Sequence, residues 1–220
     1  MSEPIVPWTV QNQVGPVYPH PLFHRAGTID GDTLQAALIE DEYCLRAAGV
    51  GAGDLVIDAG AYVGAVSCLA AWLGASVVAI EPIQENCEVW VANMEPWGGS
   101  LWRVALAHSQ SLRLIMGEGA HRFMAAAGPG EVFPAQPFSE ILRSHRGRVA
   151  FVKMDCEGAE FDALKGLSAA DRARVDRWAI EVHPRRGESM EGACEAVEAM
   201  LPEFAVGKRN GAVLFFARVA

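Results

Sequence analysis

Positive charge is scarce in this 220-residue chain: 18 Lys and Arg stand against 27 Asp and Glu, a formal charge of −9. A general polyanion-binding surface needs the opposite balance, because nucleic-acid affinity rests largely on neutralising phosphates. The nearest approach to a basic patch is Arg143, Arg146 and Arg148. With no aromatics interleaved, it is expected to be a solvated turn between a helix and a strand, and no nucleic-acid partner is expected. Cysteine is sparse too. The five residues at 44, 68, 87, 156 and 194 contain no C-x-x-C pair, which argues against a zinc or dithiol site and fits a reduced, cytoplasmic compartment. Charge is missing altogether from the 22 residues Ala59 to Ile80, a length that could span a membrane. That run lies between Asp58 and Glu81 with no flanking Lys or Arg, and it breaks at Gly74-Ala75-Ser76. A buried helix followed by a buried strand is expected, not a membrane span. Glu3 and several prolines at the N-terminus are unlike a signal peptide.

What is present is an alternation. Half of the residues are hydrophobic and a fifth are charged, the balance of a globular domain with a sizeable core. Residues 1–30 are rich in Pro, His and aromatics without periodicity, and read as an irregular arm; Thr33 to Ala48 reads as a helix. We expect this 1–48 segment to cover a domain spanning 49–220. From Leu55 onward, apolar runs at 55–57, 76–80, 101–106, 112–116, 149–154 and 178–182 read as strands. Helical stretches at 63–73, 82–94, 139–144, 159–166 and 190–201 lie between them, and a last strand at 211–219 pairs with the segment around Val206. Strands alternating with helices predict an α/β fold with a mainly parallel sheet covered on both faces.

The informative stretch is the first βα turn, Asp58-Ala-Gly60-Ala61-Tyr62-Val-Gly64. A hydrophobic strand ends in an acid, and a Gly-x-x-x-Gly turn opens a helix. Ligands of open parallel sheets bind at such carboxyl ends. Gly60 and Gly64 remove side chains where a ligand and the incoming helix come close. Glu81 ends the next strand 23 residues after Asp58, where a carboxylate can hold both hydroxyls of a ribose. The site therefore reads as adenosine-binding. The middle glycine of G-x-G-x-x-G is missing, and Asp58 would repel a pyrophosphate. S-adenosylmethionine carries no phosphate, and its ammonium and sulfonium groups suit an acidic entrance.

With these residues in hand, the chain resembles the FkbM family of S-adenosylmethionine-dependent methyltransferases. The likeness is carried by four segments: Asp54 to Gly64; Val78-Ala-Ile-Glu-Pro82 with Asn86; Phe151-Val-Lys-Met-Asp-Cys-Glu-Gly-Ala-Glu160 with Leu164 and Gly166; and Ile180-Glu-Val-His183. It runs from about Glu40 to the C-terminus. Tyr62 departs from the pattern, where the family more often has Asn. The resemblance implies a class I methyltransferase (Rossmann-like) fold, with a seven-stranded mainly parallel sheet and one antiparallel C-terminal strand. It implies methyl transfer to a hydroxyl of a small molecule, a sugar or a secondary metabolite. Asp58, Gly60, Ala61 and Gly64 would surround the methionine part of the cofactor, with Tyr62 beside them. Glu81 would bind the ribose, with Pro82 and Asn86 near the adenine side.

Methyl transfer to a hydroxyl needs alignment, exclusion of water and removal of one proton. Asp155 and Glu157, after the fourth parallel strand, and His183, after the fifth, are the candidates for that proton. Asp155 could instead orient the cofactor, Glu157 could satisfy backbone donors, and His183 could bond a loop carbonyl. Glu160 is expected to serve the first turn of its helix. His20, His24, His108 and His121 fall in irregular segments. Trp8, Tyr18 and Phe23 either wall a substrate pocket or pin the arm to the core. Catechol-type enzymes bind Mg²⁺ through an Asp-Asn pair after the fifth strand, and His183-Pro-Arg-Arg186 contains none, so no metal is expected. The rivals are N- or carboxyl-methylation, a nicotinamide-dependent reductase, which the absence of Tyr-x-x-x-Lys disfavours, and a non-catalytic cofactor-binding module. Oligomeric state cannot be read from the sequence.

Overall fold

The structure is a computed structural model. It describes residues 3–8, 18–108, 111–116, 123–125, 131–185 and 187–219, with backbone alone for those between 109 and 132. His121, Arg186 and the expected loop at Gly128-Pro129-Gly130 lie outside the described residues. The main sheet has seven strands and is parallel except for one C-terminal strand. The chain forms two compact units, Met1–Arg103 and Val104–Ala220.

In the first unit, β1 (Ile5–Trp8) and β2 (Leu22–Arg25) form an antiparallel pair, followed by α1 (Asp30–Leu38). The expected irregular arm is thus partly a ladder. The helix expected over 33–48 stops at Leu38, and the chain continues through turns with Asp41 and Cys44 in the left-handed region (φ 53° and 56°). The cause is local. The Asp41 carboxylate accepts the Arg46 N–H at 3.1 Å, a side-chain bond that competes with helical pairing. Next come β3 (Leu55–Ala59), α2 (Ala65–Trp72), β4 (Ser76–Ile80), α3 (Gln84–Met94) and β5 (Ser100–Trp102), with β3, β4 and β5 pairing in parallel order. The charge-free run resolves into the end of β3, the eight-residue α2 and β4; α2 is buried from Ala65 to Ala70. Among the described residues, no helix is long and apolar enough to cross a membrane.

The second unit starts with β6 (Ala105–Leu106), β7 (Ser111–Met116), β8 (Phe123–Ala125) and β9 (Glu131–Gln136), a four-stranded sheet in the order β6-β9-β7-β8. After α4 (Phe138–Ser144) follow β10 (Phe151–Met154), α5 (Glu160–Lys165), α6 (Ala169–Arg172), β11 (Arg177–Glu181), α7 (Met190–Met200), β12 (Phe204–Asn210) and β13 (Val213–Arg218). β10 and β11 are parallel, while β13 runs antiparallel to β11 and to β12. All four residues of β10 are buried. Trp178 on β11 is 1% exposed, with Phe138 and Phe204 edge-on to it at 6.1 Å each.

Candidate active site

The turn after β3 is built by three residues with positive φ: Gly60 (76°), Tyr62 (50°) and Gly64 (88°). The N–H groups of Gly60 and Ala61 both donate to the Ile80 carbonyl, at 2.9 and 3.0 Å, so the turn is tied to the end of β4. A Cβ on Gly64 would lie 2.8 Å from Cδ1 of Trp90. Glycine is required there by both backbone conformation and space.

Asp58, fully buried, accepts the Ser67 hydroxyl at 2.6 Å, and Ser67 Oγ in turn accepts the indole N–H of Trp90 at 2.9 Å. The chain Trp90–Ser67–Asp58 locks α2 and α3 to the turn. Glu81 is 4% exposed. Its Oε2 accepts the Tyr62 N–H at 2.9 Å, and its Oε1 accepts the Ile83 N–H at 2.9 Å and Asn86 Nδ2 at 3.2 Å. Asn86 is therefore a partner of the carboxylate, while Pro82 carries the chain from Glu81 to the start of α3.

The departure at Tyr62 has a structural counterpart. Its hydroxyl donates to Asp30 Oδ1 at 2.5 Å, and Asp30 also receives the Arg25 guanidinium through two contacts of 2.9 Å. Burial, with the Asp30 charge adding to it, raises the Tyr62 phenol. Burial alone would raise the Asp30 carboxyl, but its bonds from Arg25 and Tyr62 hold it below the usual range. Arg25 lies over the Tyr62 ring at 5.3 Å. Tyr18 is pinned to the core, packing on Trp72 at 4.7 Å and donating to the Leu38 carbonyl. Phe23 is held through its backbone. Its N–H donates to Asn93 Oδ1 at 2.6 Å, while Asn93 Nδ2 donates to the carbonyls of Phe23 and Val63. His20 sits edge-on to Trp97. Neither Asp30 nor Asn93 was singled out by sequence, because each acts through tertiary partners.

In the second unit, the ends of β10 and β11 bring Asp155, Glu157 and His183 together. His183 Nε2 is 3.9 Å from Asp155 Oδ1 and 3.5 Å from Glu157 Oε2. Its Nδ1 bonds Glu160 Oε1 at 3.0 Å, not a loop carbonyl. Glu160 is fully buried and also accepts the N–H groups of Cys156 (2.8 Å) and Gly158 (3.0 Å). Its role is therefore wider than serving the first turn of α5, and the sequence signal was its place in Asp-Cys-Glu-Gly-Ala-Glu. Lys153, 4% exposed on β10, places Nζ 3.7 Å from Asp155 Oδ2. Burial opposes the His183 imidazolium, but the Glu160 bond and the charges of Glu160, Asp155 and Glu157 raise the ring to about 9. Burial pushes Glu157 up to about 7; His183 pulls it down, and Asp155, Glu181 and Glu160 push the same way as burial.

A family model of the FkbM methyltransferase domain matches residues 58–211. The chain belongs to the FkbM methyltransferase family. Its fold is that of class I methyltransferases. It is similar to magnesium protoporphyrin IX methyltransferase of Synechocystis PCC 6803 with bound SAM (TM-score 0.53, 15% identity, covering 84% of this chain and 79% of that one). It is also similar to the ribosomal protein L11 methylase of Lactobacillus delbrueckii subsp. bulgaricus (TM-score 0.51, 15% identity, 87% and 80% covered). A third likeness is to a T. thermophilus 16S rRNA methyltransferase in complex with AdoMet and guanosine (TM-score 0.53, 16% identity, 98% and 51% covered). No curated protein matches the sequence. This FkbM-family chain is thus an S-adenosylmethionine-dependent methyltransferase, and relatives of its fold act on a porphyrin, a protein and an RNA.

Proposed function

We propose that this methyltransferase moves the methyl group of S-adenosylmethionine to a hydroxyl of a small molecule. The observation that carries the reading is the Asp155–Glu157–His183 cluster. Glu157, pushed up to about 7, faces Asp155 and a His183 ring raised to about 9 at the carboxyl ends of parallel strands, where α/β sheets bind their ligands. A hydroxyl must lose its proton as the methyl carbon is attacked, and such a cluster can take it. Alignment against the sulfonium supplies about 7–11 kcal/mol of the barrier.

The cofactor's ribose is assigned to Glu81. The donors from Tyr62, Ile83 and Asn86 fix the plane of its carboxylate at the end of β4, an acceptor of the kind that suits a ribose hydroxyl. Gly60, Ala61 and Gly64 give the methionine part a path along backbone. Asp58 favours the cationic cofactor by its charge and keeps α2 in place through Ser67. Pro82 and Asn86 border the adenine side. The acidic balance of the chain supports a small molecule over a nucleic acid as acceptor.

Calorimetric titration with S-adenosylhomocysteine tests the cofactor assignment, with Glu81→Ala expected to weaken binding at least about tenfold, or 1.4 kcal/mol. Transfer of labelled methyl from the cofactor to a panel of hydroxylated metabolites, amines, carboxylic acids, RNA and protein tests the acceptor. Label found only in the last four classes would sink the hydroxyl assignment.

A further inference from the structure

Asp155, Glu157 and His183 each offer one ligand atom, and these atoms all lie within 4.8 Å of one another. The separations are informative. His183 Nε2 stands 3.5 Å from Glu157 Oε2 and 3.9 Å from Asp155 Oδ1, beyond the roughly 2.7–2.9 Å of a charge-assisted hydrogen bond. Donors sharing one cation at about 2.0–2.2 Å stand about 3–3.5 Å apart at neighbouring positions and about 4.2 Å apart across it. The His183 nitrogen stands at ligand spacing from each carboxylate oxygen, and the two oxygens lie within 4.8 Å of each other.

A second observation concerns the imidazole. A carboxylate can only accept, so the 3.0 Å contact between His183 Nδ1 and Glu160 puts the ring proton on Nδ1. Nε2 faces Asp155 and Glu157, and an ion bound there would take the place of its proton. Glu160 is fully buried and fixed by the N–H groups of Cys156 and Gly158. A buried carboxylate behind a histidine is the arrangement that orients histidine ligands in metal sites. Lys153 competes for Asp155, but its Nζ lies by Oδ2, whereas Oδ1 is the oxygen that faces Nε2.

We propose that Asp155, Glu157 and His183 hold a divalent first-row transition ion, with Glu160 as the positioning residue behind His183. One imidazole and two carboxylates suit Zn²⁺, Mn²⁺ or Fe²⁺ better than Ca²⁺ or Mg²⁺, which take oxygen donors. Three protein donors leave coordination positions open, the pattern of a catalytic rather than a structural site. An acceptor oxygen is the natural occupant of an open position; that clause rests on the methyl-transfer reading above, whereas the ion site does not.

The test uses the full chain stripped with chelator and titrated with Mn²⁺, following free ion by electron paramagnetic resonance, with Zn²⁺ calorimetry and a Mg²⁺ control. One saturable Mn²⁺ per chain is expected, with electron spin-echo modulation from an imidazole nitrogen. His183→Ala and Glu157→Gln weaken binding at least about tenfold, and Glu160→Gln weakens it about 10–100-fold. No saturable Mn²⁺ or Zn²⁺ binding, or binding without nitrogen modulation in the unsubstituted protein, overturns the proposal even if a variant fails to fold. Binding of S-adenosylhomocysteine is measured on the same preparations. Its loss with ion binding intact counts against the cofactor assignment alone, and the reverse counts against the ion site alone.

Discussion

Glu157 and His183 both hold protons more tightly in the folded protein than they do free in water, at about 7 and about 9 against ordinary values of 4.5 and 6.5. A raised value means that the folded state binds more protons than the unfolded one between the two values, so stability falls as pH rises through that window. For His183 the contribution is complete below pH 6.5 and is lost as pH passes 9; for Glu157 the window runs from 4.5 to 7. In chelator-treated protein, Glu157→Gln is therefore expected to raise the melting temperature at pH 8 relative to its effect at pH 5. His183→Gln should flatten the decline between pH 6.5 and 9. Melting curves across this range check both, and an effect of Glu157→Gln that is the same at pH 5 and pH 8 contradicts the first. Gly64→Ala places a methyl 2.8 Å from Trp90 at φ 88°. Overpacking of this kind costs about 1–3 kcal/mol, and the left-handed backbone adds about 1 more; urea unfolding measures the sum.

At the scale of elements, Asn93 is the hook that joins β2, α3 and the turn after β3. Asn93→Leu keeps the number and branching of the side-chain heavy atoms but leaves a buried carbonyl at Val63 and both backbone groups of Phe23 without that partner. The expected loss is about 1–3 kcal/mol per unpaired group, with hydrogen exchange rising first at 22–25. Equal exchange in both proteins would mean the hook is idle. The elements most legible in the sequence were those with continuous apolar runs: β4 matches its expected bounds of 76–80, and α7 differs by one residue from 190–201. Helix 33–48 was over-extended because Asp41 interrupts it by a bond that no periodicity reveals. β1 and β2 escaped notice since each is only four residues long and their burial is largely partial. α6 carried a readable signal in Ser168-Ala-Ala-Asp171, a reciprocal capping box that satisfies the helix start.

Across the whole molecule, the alternation of strands and helices and the Asp58 to Gly64 turn were enough to read the fold class and the cofactor. A strand buried on both faces and a turn that excludes side chains leave few sequence solutions. The Asp155–Glu157–His183 cluster was legible as three residues but not as one constellation, because Glu160 and Lys153 act through packing of separate strands and loops. Of the basic patch, Arg143 in the last turn of α4 pairs with Asp171, and Arg148 pairs with Asp176. The acceptor was legible only by resemblance, since the cofactor site carries no information about the group that receives the methyl.

Trp90 gives the molecule an optical consequence. Its indole lies against Gly64, is 4% exposed, and donates to Ser67 and so to the Asp58 carboxylate. An indole bonded in this way emits according to the polarity and charge at its nitrogen. Occupation of the turn by a cationic sulfonium should shift and quench its emission, while the neutral thioether product should leave a smaller change. On the cofactor assignment proposed above, Trp90 fluorescence is expected to distinguish the methylated from the demethylated cofactor, and Trp90→Phe is the variant in which that difference disappears.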